Sequence, residues 1–169
     1  MTIVLSCLEL SSLIYNGTNV LEKFSLIKSY EENSFHPKFL ISKSQDDIFI
    51  VIRGESSFVD IETMIDFMPV NINLSSTILK NLKQQNSDIF VTSSVFKSAQ
   101  NIIQKVQQDI SNCKGKIIFT GHSYGGSVAA MAAMLIRLNG TNRNSTNEKI
   151  KTDYHLRTFA ITFGAYPCI

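Results

Sequence analysis

Ser123 lies in the pentapeptide Gly121-His122-Ser123-Tyr124-Gly125, which has the pattern G-x-S-x-G. A serine between two glycines is typical of a nucleophile that attacks an acyl carbon and becomes esterified. A serine alcohol is a weak nucleophile unless a base removes its proton. His122 is the adjacent residue, and it is in the wrong place to be that base. The pentapeptide therefore predicts a nucleophile whose acid–base partners come from elsewhere.

The segments on either side of this serine match what a nucleophile elbow requires, which is a strand, a sharp turn and a helix. Lys116–Thr120 (KIIFT) predicts the strand, Gly121–Gly125 the turn and Tyr124–Leu138 the helix. The two glycines of the pentapeptide lack Cβ atoms that would collide where strand and helix meet. The helix N-terminus would aim the N–H of Tyr124 at a developing oxyanion. The alternative is a glycine-rich turn that only packs a helix on a sheet.

Hydrophobic periodicity predicts that residues 1–169 form one α/β domain with a mainly parallel sheet and flanking helices. The last strand should pair in parallel with KIIFT, both strands being apolar on both faces. Gly140 should lie just past the end of the helix that follows Ser123. The remaining predicted elements are helices over Val4–Tyr15, Val20–Tyr30, Ser56–Met68 and Val95–Asn112, a hairpin of Phe39–Ser42 with Ile48–Arg53, and a strand over Leu156–Phe163.

Composition excludes several classes of function. The net charge is +2, from 16 basic and 14 acidic residues, which gives neither a nucleic-acid footprint nor a polybasic membrane anchor. Cys7, Cys113 and Cys168 are far apart and lack metal-ligand spacing. We expect buried free thiols rather than a disulfide framework or a metal site.

The N-terminal sequence MTIVLSCLELSSLIYNG has no basic n-region and carries Glu9 within its apolar residues. It predicts an amphipathic helix rather than a signal peptide, so we expect a cytoplasmic protein. No apolar run reaches the roughly 18 residues of a membrane span.

Three segments resemble one family. Gly121–Gly126 (GHSYGG) is similar to the GHSLGG signature of the class 3, fungal-type triacylglycerol lipases. Ile50–Ile61 (IVIRGESSFVDI) resembles that family's strand–Arg–Gly–(Ser/Thr) segment and its continuation. Thr162–Pro167 (TFGAYP) is similar to its Thr-Phe-Gly-x-Pro. These segments occur in the family's order and imply an α/β-hydrolase fold and carboxylic-ester hydrolysis.

The resemblance implies roles for individual residues. Ser123 would be the acylated nucleophile, and the backbone N–H groups of Tyr124 and Glu55 would form the oxyanion hole. Ser57–Phe67 would be a lid that contacts a lipid interface; the alternative is an ordinary surface helix. Neither a metal nor a cofactor is implied, and the substrate would be a lipid or a small ester. The lid's apolar face would consist of Phe58, Ile61 and Ile65.

The chain departs from the family at Glu55, where Ser or Thr normally donates a hydroxyl to the oxyanion, and a carboxylate would repel that charge. Smaller departures are Ile61 in place of Trp, Thr92–Val95 in place of His-x-Gly-Phe, and Pro167 one residue late.

The family's triad Asp and His follow the Phe-Gly-x-Pro segment, where this chain has almost no residues left. His36, His122 and His155 all precede that segment, and neither His155 nor Asp153 is assigned a role. We expect an incomplete α/β-hydrolase fold that is truncated C-terminally and catalytically incomplete. Two explanations stay open: a fragment of a longer lipase, or a complete but degenerate lipase-like protein that binds a ligand or partner without turnover.

Overall fold

The computed structural model describes residues 2–16, 23–33, 36–54, 69–73, 88–141 and 153–165. Within these residues we number three α-helices and seven strands, with one 3₁₀ helix, in chain order. They are α1 (Ile3–Asn16), β1 (Ser25–Tyr30), β2 (Phe39–Ser44), β3 (Asp47–Ile52), β4 (Pro69–Asn73), β5 (Asp88–Thr92), α2 (Ser93–Asn112), β6 (Ile117–His122), α3 (Tyr124–Thr141), the 3₁₀ helix (Asp153–Arg157) and β7 (Thr158–Phe163).

Five strands form one mixed sheet in the order β1-β2-β3-β6-β7. The first three pair antiparallel, whereas β3, β6 and β7 pair in parallel. In register, Ile52 at the end of β3 pairs with Gly121 of β6, and Gly121 pairs with Thr162 of β7. The carboxyl ends of the parallel strands therefore meet at one edge of the sheet, beside Ser123.

The central strands are apolar without interruption because both faces of the sheet are covered. Along β3, Ile48, Ile50 and Ile52 belong to one core, whereas Phe49 and Val51 belong to the other. The first core lies under α2 and α3, and the second under α1. The result is a three-layer α/β domain with helices on both sides of the sheet.

A buried polar link joins α1 to the sheet. The Oγ of Ser11 lies 3.1 Å from Oγ1 of Thr120, and the Thr120 hydroxyl donates to the carbonyl of Ile161 at 2.6 Å. Both hydroxyl-bearing residues are buried, so each needs a hydrogen-bond partner. The link fixes how α1 lies across β6 and β7.

The hairpin, the strand before Ser123 and the two helices α2 and α3 confirm the prediction, and so does the parallel pairing of β6 with β7. The helix predicted for Val20–Tyr30 is wrong over Ser25–Tyr30, which forms strand β1. This segment pairs with β2, and the ring of Tyr30 stacks on Phe39 with centroids 4.4 Å apart. Cross-strand packing therefore overrides the local helical spacing.

Three predictions about the C-terminal elements are wrong. Helix α3 continues to Thr141, so Gly140 lies within it rather than past its end. The last strand begins at Thr158 rather than at Leu156, because Asp153–Arg157 forms a 3₁₀ turn that an Arg157–Asp153 ion pair closes at 3.0 Å. Strand β7 is also half exposed and not buried on both faces, since it has only β6 beside it in the described sheet.

A separate two-stranded sheet was not predicted. β4 and β5 pair antiparallel, with Pro69 opposite Thr92, and β5 leads directly into α2. The predicted helix Ser56–Met68 lies outside the described residues.

The polar link gives a test of the α1–sheet contact. Thr120→Val keeps the side-chain shape but removes the bonds to Ile161 and Ser11, and we expect a loss of about 1–2 kcal/mol in unfolding free energy. The control is Thr92→Val, because the Thr92 hydroxyl makes no capping hydrogen bond to α2, and it should change stability by less than about 0.5 kcal/mol. Urea unfolding measures both, and equal losses would contradict a specific role for the link.

Candidate functional site

Ser123 occupies a strained turn between β6 and α3. Its φ is 56°, a left-handed conformation that only one other described non-glycine residue, Gln45, adopts. The turn is held by hydrogen bonds from Ser123 N–H to the carbonyl of Phe163 at 2.9 Å, and from Gly126 N–H to the carbonyl of Ser123 at 2.9 Å. Left-handed backbone costs an L-residue roughly 1–2 kcal/mol, so β7 and α3 impose a conformation that Ser123 does not prefer by itself.

The glycines on either side of Ser123 are required by close approach of backbone to backbone. A Cβ on Gly121 would lie 2.6 Å from the carbonyl oxygens of Gly125 and of Ile52. A Cβ on Gly125 would collide with the carbonyl of Ile52 and lie 2.7 Å from the backbone of Arg53. These contacts explain why the predicted elbow needs glycine at both positions.

Tyr124 is the first residue of α3, so its backbone N–H lies at the positive end of that helix. Its side chain is buried, and its hydroxyl lies 3.1 Å from the Oγ of Ser98 on α2. This contact anchors the start of α3 to the neighbouring helix. The role of the Tyr124 N–H as an oxyanion donor stays a prediction.

The side chain of His122 lies beside Tyr15 of α1. It is exposed, and its Nδ1 lies 3.4 Å from the hydroxyl of Tyr15 on α1. The N–H of Gly54, just after β3, donates to the same hydroxyl at 2.9 Å. Tyr15 had no signal in the sequence, because it is 39 residues from Gly54 and 107 from His122.

The other two histidines are not placed to act on Ser123. His36 lies near the end of the sheet that carries the elbow, because Phe39, three residues later, pairs with Ile52. The ring of His36 is buried, however. Its Nδ1 lies 2.9 Å from the Pro37 carbonyl and its Nε2 3.1 Å from the amide nitrogen of Asn33. His155 belongs to the 3₁₀ turn that precedes β7, at the opposite end of that strand.

Several predicted site residues lie outside the described part of the chain. These are Glu55, the lid residues Phe58, Ile61 and Ile65, and Pro167. Gly54, the residue immediately before Glu55, is the last described residue of its segment.

The thiols that the structure describes are not nucleophiles. Cys7 and Cys113 are free and buried, as predicted, whereas Cys168 lies outside the described residues. Burial raises the pKa of Cys7 to about 11 and also raises the pKa of Cys113. Both therefore stay protonated at neutral pH. In the described ranges there is also no group of three His, Cys, Asp or Glu side chains that could hold a metal, and no helix long and apolar enough to cross a membrane.

The sequence pattern of the lipase (class 3) family matches residues 49–168. This chain belongs to the class 3 lipase family. The match begins in β3 and includes both Gly54 and the whole elbow. Among curated proteins, no sequence matches the chain significantly.

Solved lipase structures share the fold. A nonglycosylated LIP2 lipase from Yarrowia lipolytica is 25% identical with a TM-score of 0.53, covering 70% of this chain and 43% of its own. A triacylglycerol lipase from Penicillium expansum is 19% identical with a TM-score of 0.60, covering 80% of this chain and 54% of its own. A triacylglycerol lipase whose catalytic centre is a serine protease triad is 20% identical with a TM-score of 0.58, covering 80% and 54%. This class 3 lipase chain thus spans about half the length of these relatives.

The strained turn predicts that glycine at position 123 gives a more stable protein than alanine, the reverse of their order within a helix. Both Ser123→Ala and Ser123→Gly remove the hydroxyl, but only glycine adopts φ 56° without steric cost. We expect Ser123→Gly to be more stable than Ser123→Ala by about 1 kcal/mol, measured by urea unfolding. The control is Ala130→Gly within α3, which should lose about 1 kcal/mol because glycine weakens a helix. A more stable alanine variant at position 123 would contradict the strained turn.

Proposed function

We propose that this class 3 lipase chain carries the nucleophile of a serine ester hydrolase, with Ser123 forming an acyl-enzyme with a lipid ester or a small ester. The observation that carries the proposal is the left-handed Ser123 at the junction of β6 and α3. A strained strand-to-helix turn is how a hydrolase exposes the Oγ of its serine above the sheet. Acyl transfer of this type needs neither a metal nor a cofactor.

The oxyanion donors in this proposal are the backbone N–H groups of Tyr124 and Glu55. Tyr124 supplies a helix N-terminus, where N–H groups favour negative charge. Glu55 follows Gly54, whose position beside the elbow is set by close contact: a Cβ on Gly54 would lie 2.5 Å from the carbonyl of His122 and 3.3 Å from Cβ of Ser123. Gly54, the residue before Glu55, therefore lies directly beside the proposed nucleophile.

The substrate class in the proposal is a lipid ester, since the relatives are named as lipases and two of them as triacylglycerol lipases. We further propose that the apolar residues Phe58, Ile61 and Ile65 contact a lipid interface. The support for this contact is their helical spacing.

We also propose that these 169 residues are catalytically incomplete by themselves. The chain has three histidines. His122 faces Tyr15, His36 uses both ring nitrogens locally, and His155 lies at the far end of β7. An acting base would then be supplied by residues beyond these 169.

Labelling with a fluorophosphonate probe tests the nucleophile and the missing base together. The 169-residue polypeptide should label very slowly, because loss of the base costs on the order of a millionfold in such triads. The complete protein that carries this chain should label rapidly, and Ser123→Ala should abolish the labelling. The control is Ser94→Ala, which removes a buried hydroxyl that has no hydrogen-bond partner among the described residues and should leave labelling unchanged.

Rapid labelling of the 169-residue polypeptide at Ser123 would overturn the proposed incompleteness. Absence of labelling in the complete protein would instead favour a second function, a lipase-like protein that binds a ligand without turnover. The observation in favour of that alternative is the carboxylate of Glu55 where the family normally has Ser or Thr.

Glu55→Thr distinguishes these functions in the complete protein. Threonine removes a charge that repels the oxyanion and adds a hydroxyl donor, so kcat for a short-chain ester should rise by roughly tenfold or more. Glu55→Gln separates the loss of charge from the gain of the hydroxyl. Glu32→Thr, at an exposed position, is the control and should leave kcat unchanged. An unaltered kcat in Glu55→Thr would mean that the carboxylate points away from the oxyanion.

A further inference from the structure

The contacts of Tyr15 join three elements that meet at the elbow. Its ring comes from the last turn of α1, and its hydroxyl accepts the N–H of Gly54 at 2.9 Å. The hydroxyl also lies 3.4 Å from Nδ1 of His122, and the two rings meet edge to face with centroids 6.2 Å apart. The guanidinium carbon of Arg53 lies over the Tyr15 ring, 5.5 Å from its centroid.

These contacts involve Arg53 and Gly54, the two residues that directly follow β3. Arg53 donates its N–H at 2.9 Å to the carbonyl of Lys38, the residue before β2. The next N–H, that of Gly54, goes to the Tyr15 side chain instead. A single phenolic oxygen therefore holds the residue immediately before Glu55.

The geometry leaves little freedom at this point. The Tyr15 hydroxyl fills the space where a Cβ of Gly54 would be, and the carbonyl oxygen of His122 would lie 2.5 Å from the same Cβ. Gly54 is thus fixed between α1 and the elbow. The oxygen accepts the N–H of Gly54 and also lies 3.4 Å from Nδ1 of His122, so one side chain contacts both segments.

We propose that Tyr15 is a positioning residue for the oxyanion hole: its hydroxyl fixes Gly54 against the elbow and thereby holds the residue before Glu55 beside Ser123. This inference rests on the proposed function for the role of Glu55, whereas the hydrogen bond to Gly54 can be tested without it. Donors to an oxyanion act only when they are held in place before the reaction.

Tyr15→Phe removes the hydroxyl and keeps the ring under Arg53. Amide hydrogen exchange at Gly54 should accelerate by about 3- to 10-fold, the equivalent of one lost hydrogen bond. Exchange at Gly115, whose N–H donates to the Asp46 carbonyl at 3.0 Å at the other end of the sheet, should stay unchanged. In the complete protein, the fluorophosphonate labelling rate of Ser123 should fall by about tenfold.

The matched control is Tyr30→Phe, since Tyr30 stacks on Phe39 away from the elbow. It should alter neither exchange at Gly54 nor labelling. Unchanged exchange at Gly54 in Tyr15→Phe would overturn the proposal, and so would faster exchange at Gly54 and Gly115 together, which would mean general loosening. Faster exchange at Gly54 with an unchanged labelling rate would overturn the link to the oxyanion. If Ser123 of the unmodified complete protein does not label, the proposed function fails, while exchange at Gly54 still decides whether Tyr15 holds this segment.

Discussion

The contact between three backbone segments at the end of the sheet is the constraint on which the site depends. Gly121 of β6 and Gly125 of α3 approach each other and the carbonyl of Ile52 in β3 so closely that neither glycine has room for a Cβ. With strand and helix this close, the chain reverses within a few residues, and Ser123 takes the left-handed conformation. The packing of the three-layer domain stabilises the strained backbone conformation of Ser123.

Helix α1 contributes to both the core and the site. Ser11 and Tyr15 are four residues apart and therefore lie on one face of the helix. Ser11 reaches Thr120 within the sheet, and Tyr15 reaches Gly54 at the sheet's end. One face of α1 thus contacts both the sheet and the segment that precedes Glu55. A change in how α1 packs would therefore also move the proposed oxyanion donor.

The geometry of the elbow separates two requirements of acyl transfer. The position of Ser123 is built locally, by β6, α3 and their glycines. Activation of that serine needs a base held against it, and the chain's histidines are placed otherwise: His36 is buried in hydrogen bonds of its own, and His122 faces α1. The elbow is therefore built by the packing of β3, β6, β7 and α3, independently of the group that would activate the serine.

The sequence by itself determined the elements whose cause is local or periodic. Glycines at 121 and 125 predicted the elbow, the apolar spacing of Val95–Asn112 predicted α2, and the two apolar runs around residues 43–47 predicted the hairpin. Only the tertiary structure decided that Ser25–Tyr30 is a strand, because its partner β2 and the stacking of Tyr30 on Phe39 are not local. The contact of Tyr15 with Gly54 was likewise decided only by the tertiary structure, because that hydrogen bond joins residues 39 positions apart and corresponds to no periodic pattern in the sequence.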